Sequence, residues 1–217
     1  MIKLQKRPVP AAVAMAIAER TARFAELRKA GADVPEGLAS AYKAPEVKAL
    51  LKEETFEKCA YCESKILHID FGDVEHIKPK DTFHELRYSY DNLTLACGVC
   101  NNKKRNFYSE ETPLLNPYID EPKDHLMAIG PMVLRTPGSD RGLVTQKILD
   151  LNRPSLVERR SERLEAIASM ADQLAKTKSL PVREVLLGAI SDECRAENEF
   201  SFVVSEYANK VFAQLGA

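Results

Sequence analysis

Apolar positions recur with a helical period at both ends of the chain and with a strand period only in its middle. From Pro10 to about residue 30, Val13, Ile17, Phe24 and Leu27 share a broad face with the alanines, the spacing of an amphipathic helix. Pro10 suits the first helical position and Gly31 the residue past the end. Residues 1–9 read as extended, because prolines 8 and 10 turn the backbone away from helix. After a loop over 31–44, a second helix is predicted for 45–57, with Val47, Leu50, Leu51 and Phe56 mostly on one side. Residues 66–77 read as a strand or hairpin edge broken at Gly72-Asp73, and 92–96 as a short strand in which Leu93 and Leu95 alternate with Thr94. A helix over about 101–109 follows. Past a proline-rich loop at 113–122, residues 127–135 and 142–148 are predicted strands around the 137–142 turn. Pro154 opens a long amphipathic helix to about 176, with Leu156, Leu164, Ile167 and Met170 as core positions. Ser179-Leu180-Pro181 breaks it, and a last helical region fills 182–215, bent near Gly188 or Glu197. The pattern predicts an α+β fold, predominantly helical overall. It divides into an N-terminal helical arm (1–58), a compact ββα core (59–110) and a C-terminal extension with a short hairpin and helices (111–217).

The cysteines give the middle segment its chemistry. Four of the five lie in two CxxC pairs, Cys59/Cys62 and Cys97/Cys100. A CxxC turn aims two thiolates at one ion, so two pairs point to a tetrahedral four-cysteine zinc site. Thiolate would fill all four positions, which makes this a structural metal and leaves substrate no place on it. The 34 residues between Cys62 and Cys97 exceed the spacing of a plain zinc ribbon, about 15–20. A further unit is therefore held between the knuckles. Cys194 stands apart and reads as a small core residue. His68, His84 and His125 lack comparable surroundings and read as structural or surface residues.

Charge limits what the chain can grip unaided. It carries 31 basic and 32 acidic residues, net −1, whereas phosphate binding dominates nucleic-acid affinity and favours a basic excess. The excess is local. From His76 to Asn106 there are six Lys or Arg (Lys78, Lys80, Arg87, Lys103, Lys104, Arg105) against three acids. Either binding is weak or a partner supplies the rest. No apolar run reaches the length of a membrane span and no clear signal-peptide pattern opens the chain. With reduced, metal-binding cysteines, these features set a cytoplasmic location as the expectation.

Glu75-His76, Asn92 and Asn101, framed by the CxxC knuckles, resemble the HNH nuclease family, the ββα-metal endonucleases, in its zinc-stapled form. The resemblance covers about 50 residues. More loosely, the opening Met1-Ile2-Lys3-Leu4, the segment Leu115-Asn116-Pro117-Tyr118-Ile119-Asp120 and the overall length resemble the PtuB-type HNH effectors of bacterial Septu and retron-associated anti-phage systems. The resemblance implies a role for each residue. His76 would be the general base, since imidazole titrates near neutrality. Asn92 would brace the loop between the strands and orient that base. Glu75 and Asn101 would hold a catalytic Mg²⁺ or Mn²⁺ through hard oxygen ligands. The family often has Asp where this chain has Glu75 and His where it has Asn101. Lys104 would approach the phosphate, with Lys103 and Lys78 as further nucleic-acid contacts. The implied activity is metal-dependent hydrolysis of DNA phosphodiesters, with a protein partner of the ATPase type. A zinc-scaffolded nucleic-acid or protein binding module without catalysis, or an RNA-directed HNH nuclease, are the alternatives.

Overall fold

The computed structural model describes residues 1–66 and 71–215. His68 lies outside them. The chain groups into two units: Leu4–Ala60 with Lys65–Ser109, and Met1–Lys3 with Tyr61–Ser64 and Glu110–Ala217.

The first unit is built on an antiparallel hairpin. Strand β1 (Asp73–His76) pairs with β2 (Leu93–Ala96), with Asp73 opposite Ala96, Glu75 opposite Thr94 and His76 opposite Leu93. Leu93, Thr94, Leu95 and Ala96 are all completely buried, so β2 is covered on both faces. Gly72 enters β1 at φ +70°, and a Cβ there would meet Leu95 Cδ1 at 2.9 Å. Both facts favour glycine there. Helix α1 (Ala11–Lys29) opens one residue later than predicted, with Pro10 as its cap at ψ 143°. The region 31–44 is less open than a loop, holding α2 (Glu36–Ala39) and a 3₁₀ turn at Ala41–Lys43. Helix α3 (Pro45–Glu54) stops three residues short of its predicted end, because Phe56 and Glu57 turn to positive φ to deliver Cys59. Helix α4 (Gly98–Lys104) follows β2 directly. It starts three residues before Asn101, because Cys97 Sγ accepts the Cys100 N–H and serves as the cap.

The N-terminal segment is stitched into this unit. Lys6 Nζ donates to Glu54 Oε1 at 2.9 Å and to the Leu93 carbonyl at 2.5 Å. Tyr90 Oη donates to the other Glu54 oxygen at 2.7 Å. Phe24 of α1 packs edge-on against Tyr88, ring centres 5.6 Å apart.

The second unit begins its regular structure with α5 (Pro122–His125), which runs straight into the hairpin β3 (Leu126–Ile129) and β4 (Met132–Arg135). Both strands come from the single run predicted at 127–135, because Gly130 at φ +55° turns the chain within it. The predicted strand at 142–148 is instead helix α6 (Asp140–Ile148). Ser139 caps it by accepting the Gly142 N–H, with Asp140 in the first turn. Cap chemistry overrides the β-branched residues inside. Helix α7 (Pro154–Lys176) is as predicted. The last helical region divides into α8 (Leu180–Glu193) and α9 (Ser201–Leu215). The break falls at 194–200, and Gly188 stays inside α8. Leu126, Val133, Leu149, Ile167, Leu174, Ile190, Phe202 and Val204 form the core. Glu63, at φ 65°, accepts from Ser201 Oγ and Phe202 N at 2.9 and 3.2 Å, which fixes the start of α9. Cys194 is half-buried against the Ile190 carbonyl, and burial pushes its thiol pKa up.

Among the described residues, no helix is long and apolar enough to cross a membrane.

Candidate active site and metal centre

The four knuckle cysteines come together. Their sulfur atoms all lie within 4.8 Å of one another, and none is in a disulfide. A tetrahedral ion with 2.3 Å metal–sulfur bonds sets its ligands about 3.8 Å apart, so this donor set fits one thiolate-bound metal ion. Ala60 N donates to the Leu95 carbonyl at 2.9 Å, fastening the first knuckle to β2. Arg153 Nη2 approaches Cys62 Sγ at 3.7 Å.

Strand alternation sorts the next residues. Asp73 and Glu75 point to one face of β1, and the charges of Lys80 and Lys104 act on both Glu75 and the His76 imidazole at the strand's end. Helix α4 packs on β1 and presents Asn101 and Lys104, three apart and so on one helical face. Asn101 Nδ2 donates to Asp73 Oδ2 at 2.8 Å. Lys104 Nζ lies 2.6 Å from Glu75 Oε1 and donates to the His76 carbonyl at 2.7 Å. The Lys104 ammonium is thus the close charged partner of the Glu75 carboxylate. Glu75 is 5% exposed. Burial raises its pKa, and Lys104 offsets part of the effect. A carboxylate and an amide offer hard oxygen atoms of the kind a divalent cation prefers.

The phosphate contact expected of Lys104 does not match its placement. Lys104 is 2% exposed, because it occupies the face of α4 turned to β1. Lys103 and Arg105, on either side, are exposed, as is Lys78.

His76 is 5% exposed. Its Nε2 lies 2.9 Å from the Arg87 carbonyl, and its ring stacks edge-on against Tyr42 at 4.5 Å. Burial pushes its pKa down to about 4, so the imidazole is neutral at physiological pH. A carbonyl only accepts, so Nε2 carries the hydrogen and Nδ1 keeps a lone pair.

Asn92 sits at the far end of the loop that supplies Arg87. Its Oδ1 accepts from Lys78 N at 2.8 Å, and its Nδ2 donates to the Lys78 carbonyl at 2.9 Å. A longer contact, 3.4 Å, reaches the Leu86 carbonyl. One amide thus ties the two ends of the 79–91 loop together and touches the peptide next to the His76 acceptor. Sequence reasoning missed Asp73, Tyr42 and the Arg87 carbonyl. Asp73 had a signal, being two residues before Glu75 on a strand. The other two had none.

The ββα unit therefore brings together Glu75-His76, Asn92 and Asn101 between the cysteine knuckles, the residues that carry the resemblance to the HNH endonucleases. The family model described as HNH endonuclease matches residues 59–107, so this stretch is an HNH domain. The chain is also similar to Septu protein PtuB of Bacillus thuringiensis, 34% identical over 115 residues, covering 52% of this chain and 44% of that protein. Septu protein PtuB of Bacillus mycoides (strain KBAB4) is 31% identical over 153 residues, covering 56% and 52%. The match spans about half the length of each of these relatives.

Proposed function

We propose that this protein is a metal-dependent HNH endonuclease that hydrolyses phosphodiester bonds in DNA, as an effector of bacterial anti-phage defence. The observation that carries the reading is the buried His76, neutral and held at Nε2, on the strand that also bears the buried carboxylate of Glu75. The similarity to Septu PtuB proteins supports the defence role. The near-neutral net charge supports work alongside a protein partner, of ATPase type by the resemblance, and reduced, metal-binding cysteines support a cytoplasmic location.

In this reading Cys59, Cys62, Cys97 and Cys100 hold a structural zinc that folds the core. Glu75 and Asn101 would hold the catalytic ion, and Mg²⁺ or Mn²⁺ there would supply Lewis-acid stabilisation of the charge that builds on the phosphate and the leaving oxygen. His76 Nδ1 takes a proton from the attacking water as its oxygen bonds to phosphorus; the bond to the 3′ oxygen breaks, and that oxygen takes a proton from solvent, giving 5′-phosphate and 3′-hydroxyl ends. Asn92 keeps the loop rigid, and with it the Arg87 carbonyl that fixes the imidazole. Lys78 and Lys103, both exposed, contact the phosphate backbone. Lys104 works underneath, holding Glu75 in place.

The test is cleavage of supercoiled plasmid by zinc-loaded protein with Mg²⁺, Mn²⁺ or EDTA, beside His76→Ala. Metal-dependent cutting that the variant loses is the expected result. Equal cutting by the variant would sink the mechanism. Faster cleavage of structured RNA than of duplex DNA would change the substrate.

A further inference from the structure

We propose that Asp73 is a positioning residue for the catalytic ion, acting through Asn101. The proposal rests on the reading of Asn101 as an ion ligand. It assigns a task to a carboxylate that the mechanism above leaves unused.

An asparagine can offer a cation only its oxygen. Its NH₂ end repels one. The two ends are nearly equal in size, so a partly exposed amide on a helix surface turns over readily unless something distinguishes them. Asp73 does so. An ionised carboxylate accepts and cannot donate, so the 2.8 Å contact with Asn101 Nδ2 requires the nitrogen to face Asp73. Oδ1 then faces away, available as a ligand. The negative charge beside the NH₂ group also draws electron density toward the amide oxygen, which makes a neutral ligand a better donor.

The backbone makes this pairing specific. Asp73 and Glu75 share one face of β1, and Asn101 and Lys104 share one face of α4. Asp73 is committed to the amide at 2.8 Å and Glu75 to the ammonium at 2.6 Å. Glu75 is the buried member, whereas Asp73 is half-exposed. Such a division suits one carboxylate that binds and one that orients, the arrangement in which outer-shell partners set the affinity of a metal site.

The experiment measures Mn²⁺ affinity by titration calorimetry on the full, zinc-loaded chain without nucleic acid. Asp73→Ala, Asn101→Ala and the double variant are compared with the starting protein, with zinc content and melting temperature as folding controls. Asp73→Ala is expected to weaken Mn²⁺ binding about 10–100-fold, and the double variant to be no weaker than Asn101→Ala alone. Asp73→Asn, whose neutral amide can donate as well as accept and so no longer distinguishes the two ends of Asn101, is expected to weaken binding much as Asp73→Ala does, and it decides the matter if the alanine variant does not fold. Unchanged binding in Asp73→Ala, or losses that multiply in the double variant, would overturn the proposal. The second outcome would make Asp73 a ligand in its own right. Binding as tight in Asp73→Asn as in the starting protein would also overturn it. Equal affinity in Asn101→Ala and the starting protein would remove the ligand role of Asn101 itself, and the orienting role with it.

Discussion

The Lys104 ammonium lies 2.6 Å from the Glu75 carboxylate with both side chains almost wholly out of water. Removing one member of a buried pair leaves the other charge uncompensated, at a cost of about 3–5 kcal/mol. Lys104→Met is therefore expected to destabilise the protein by that amount in urea unfolding without divalent ions. Mn²⁺ is expected to restore part of the loss, because a cation on Glu75 replaces the missing charge. The double variant Glu75→Gln/Lys104→Met should recover most of the stability. Equal destabilisation with and without Mn²⁺ would mean that no ion reaches Glu75.

Burial of His76 has a pH consequence with a definite sign. Its folded pKa is about 4, whereas an unfolded histidine titrates near 6.5. Between these values the unfolded chain takes up a proton and the folded chain does not. Stability from this residue is therefore complete above about pH 6.5 and falls as the pH drops toward 4, by roughly 3 kcal/mol in total. Urea midpoints followed from pH 7.5 to 4.5 should show this slope, and His76→Gln should flatten it.

Asn92 carries two short bonds to the Lys78 main chain. Asn92→Ala leaves those groups in need of water and should cost about 1–3 kcal/mol. It also loosens the loop that presents the Arg87 carbonyl to His76. Plasmid cleavage is expected to fall about 10–100-fold with zinc content and Mn²⁺ affinity intact. Loss of Mn²⁺ affinity in this variant would show that the loop also shapes the ion site.

The sulfur cluster predicts a sharp contrast between cysteines. Structural zinc in small domains supplies on the order of 10 kcal/mol of folding free energy. Cys59→Ser, or exhaustive chelation, should remove the ion and unfold the hairpin unit, read by zinc analysis and circular dichroism. Cys194→Ser should leave zinc content unchanged, since Cys194 packs against Ile190 and takes no part in the sulfur cluster.

The sequence is most legible where a physical constraint is local. CxxC spacing announces the sulfur cluster, and Leu93-Thr94-Leu95 alternation marks β2. Gly72 flags the entry into β1. It is least legible where partners are far apart along the chain. Lys103-Lys104-Arg105 looks like one solvated basic run. Only the docking of α4 on β1 separates the buried middle residue from its exposed neighbours. Asp73 looks like half of a turn, because nothing nearby in sequence names Asn101 as its partner. At 142–148 the error is a local one, for the Ser139 cap outweighs the strand-like residues it precedes.

The pairings Asp73–Asn101 and Lys104–His76 each join residues 28 positions apart, and this sets an order of events during synthesis. Strand β1 leaves the ribosome with two carboxylates and half of the sulfur ligands already made. Helix α4, carrying the remaining thiolate turn, the amide and the ammonium, arrives last. A chain interrupted before Cys97 therefore ends with two of the four sulfur ligands and without the Lys104 partner of Glu75. The Lys104 bond to the His76 carbonyl forms only once residue 104 has been made.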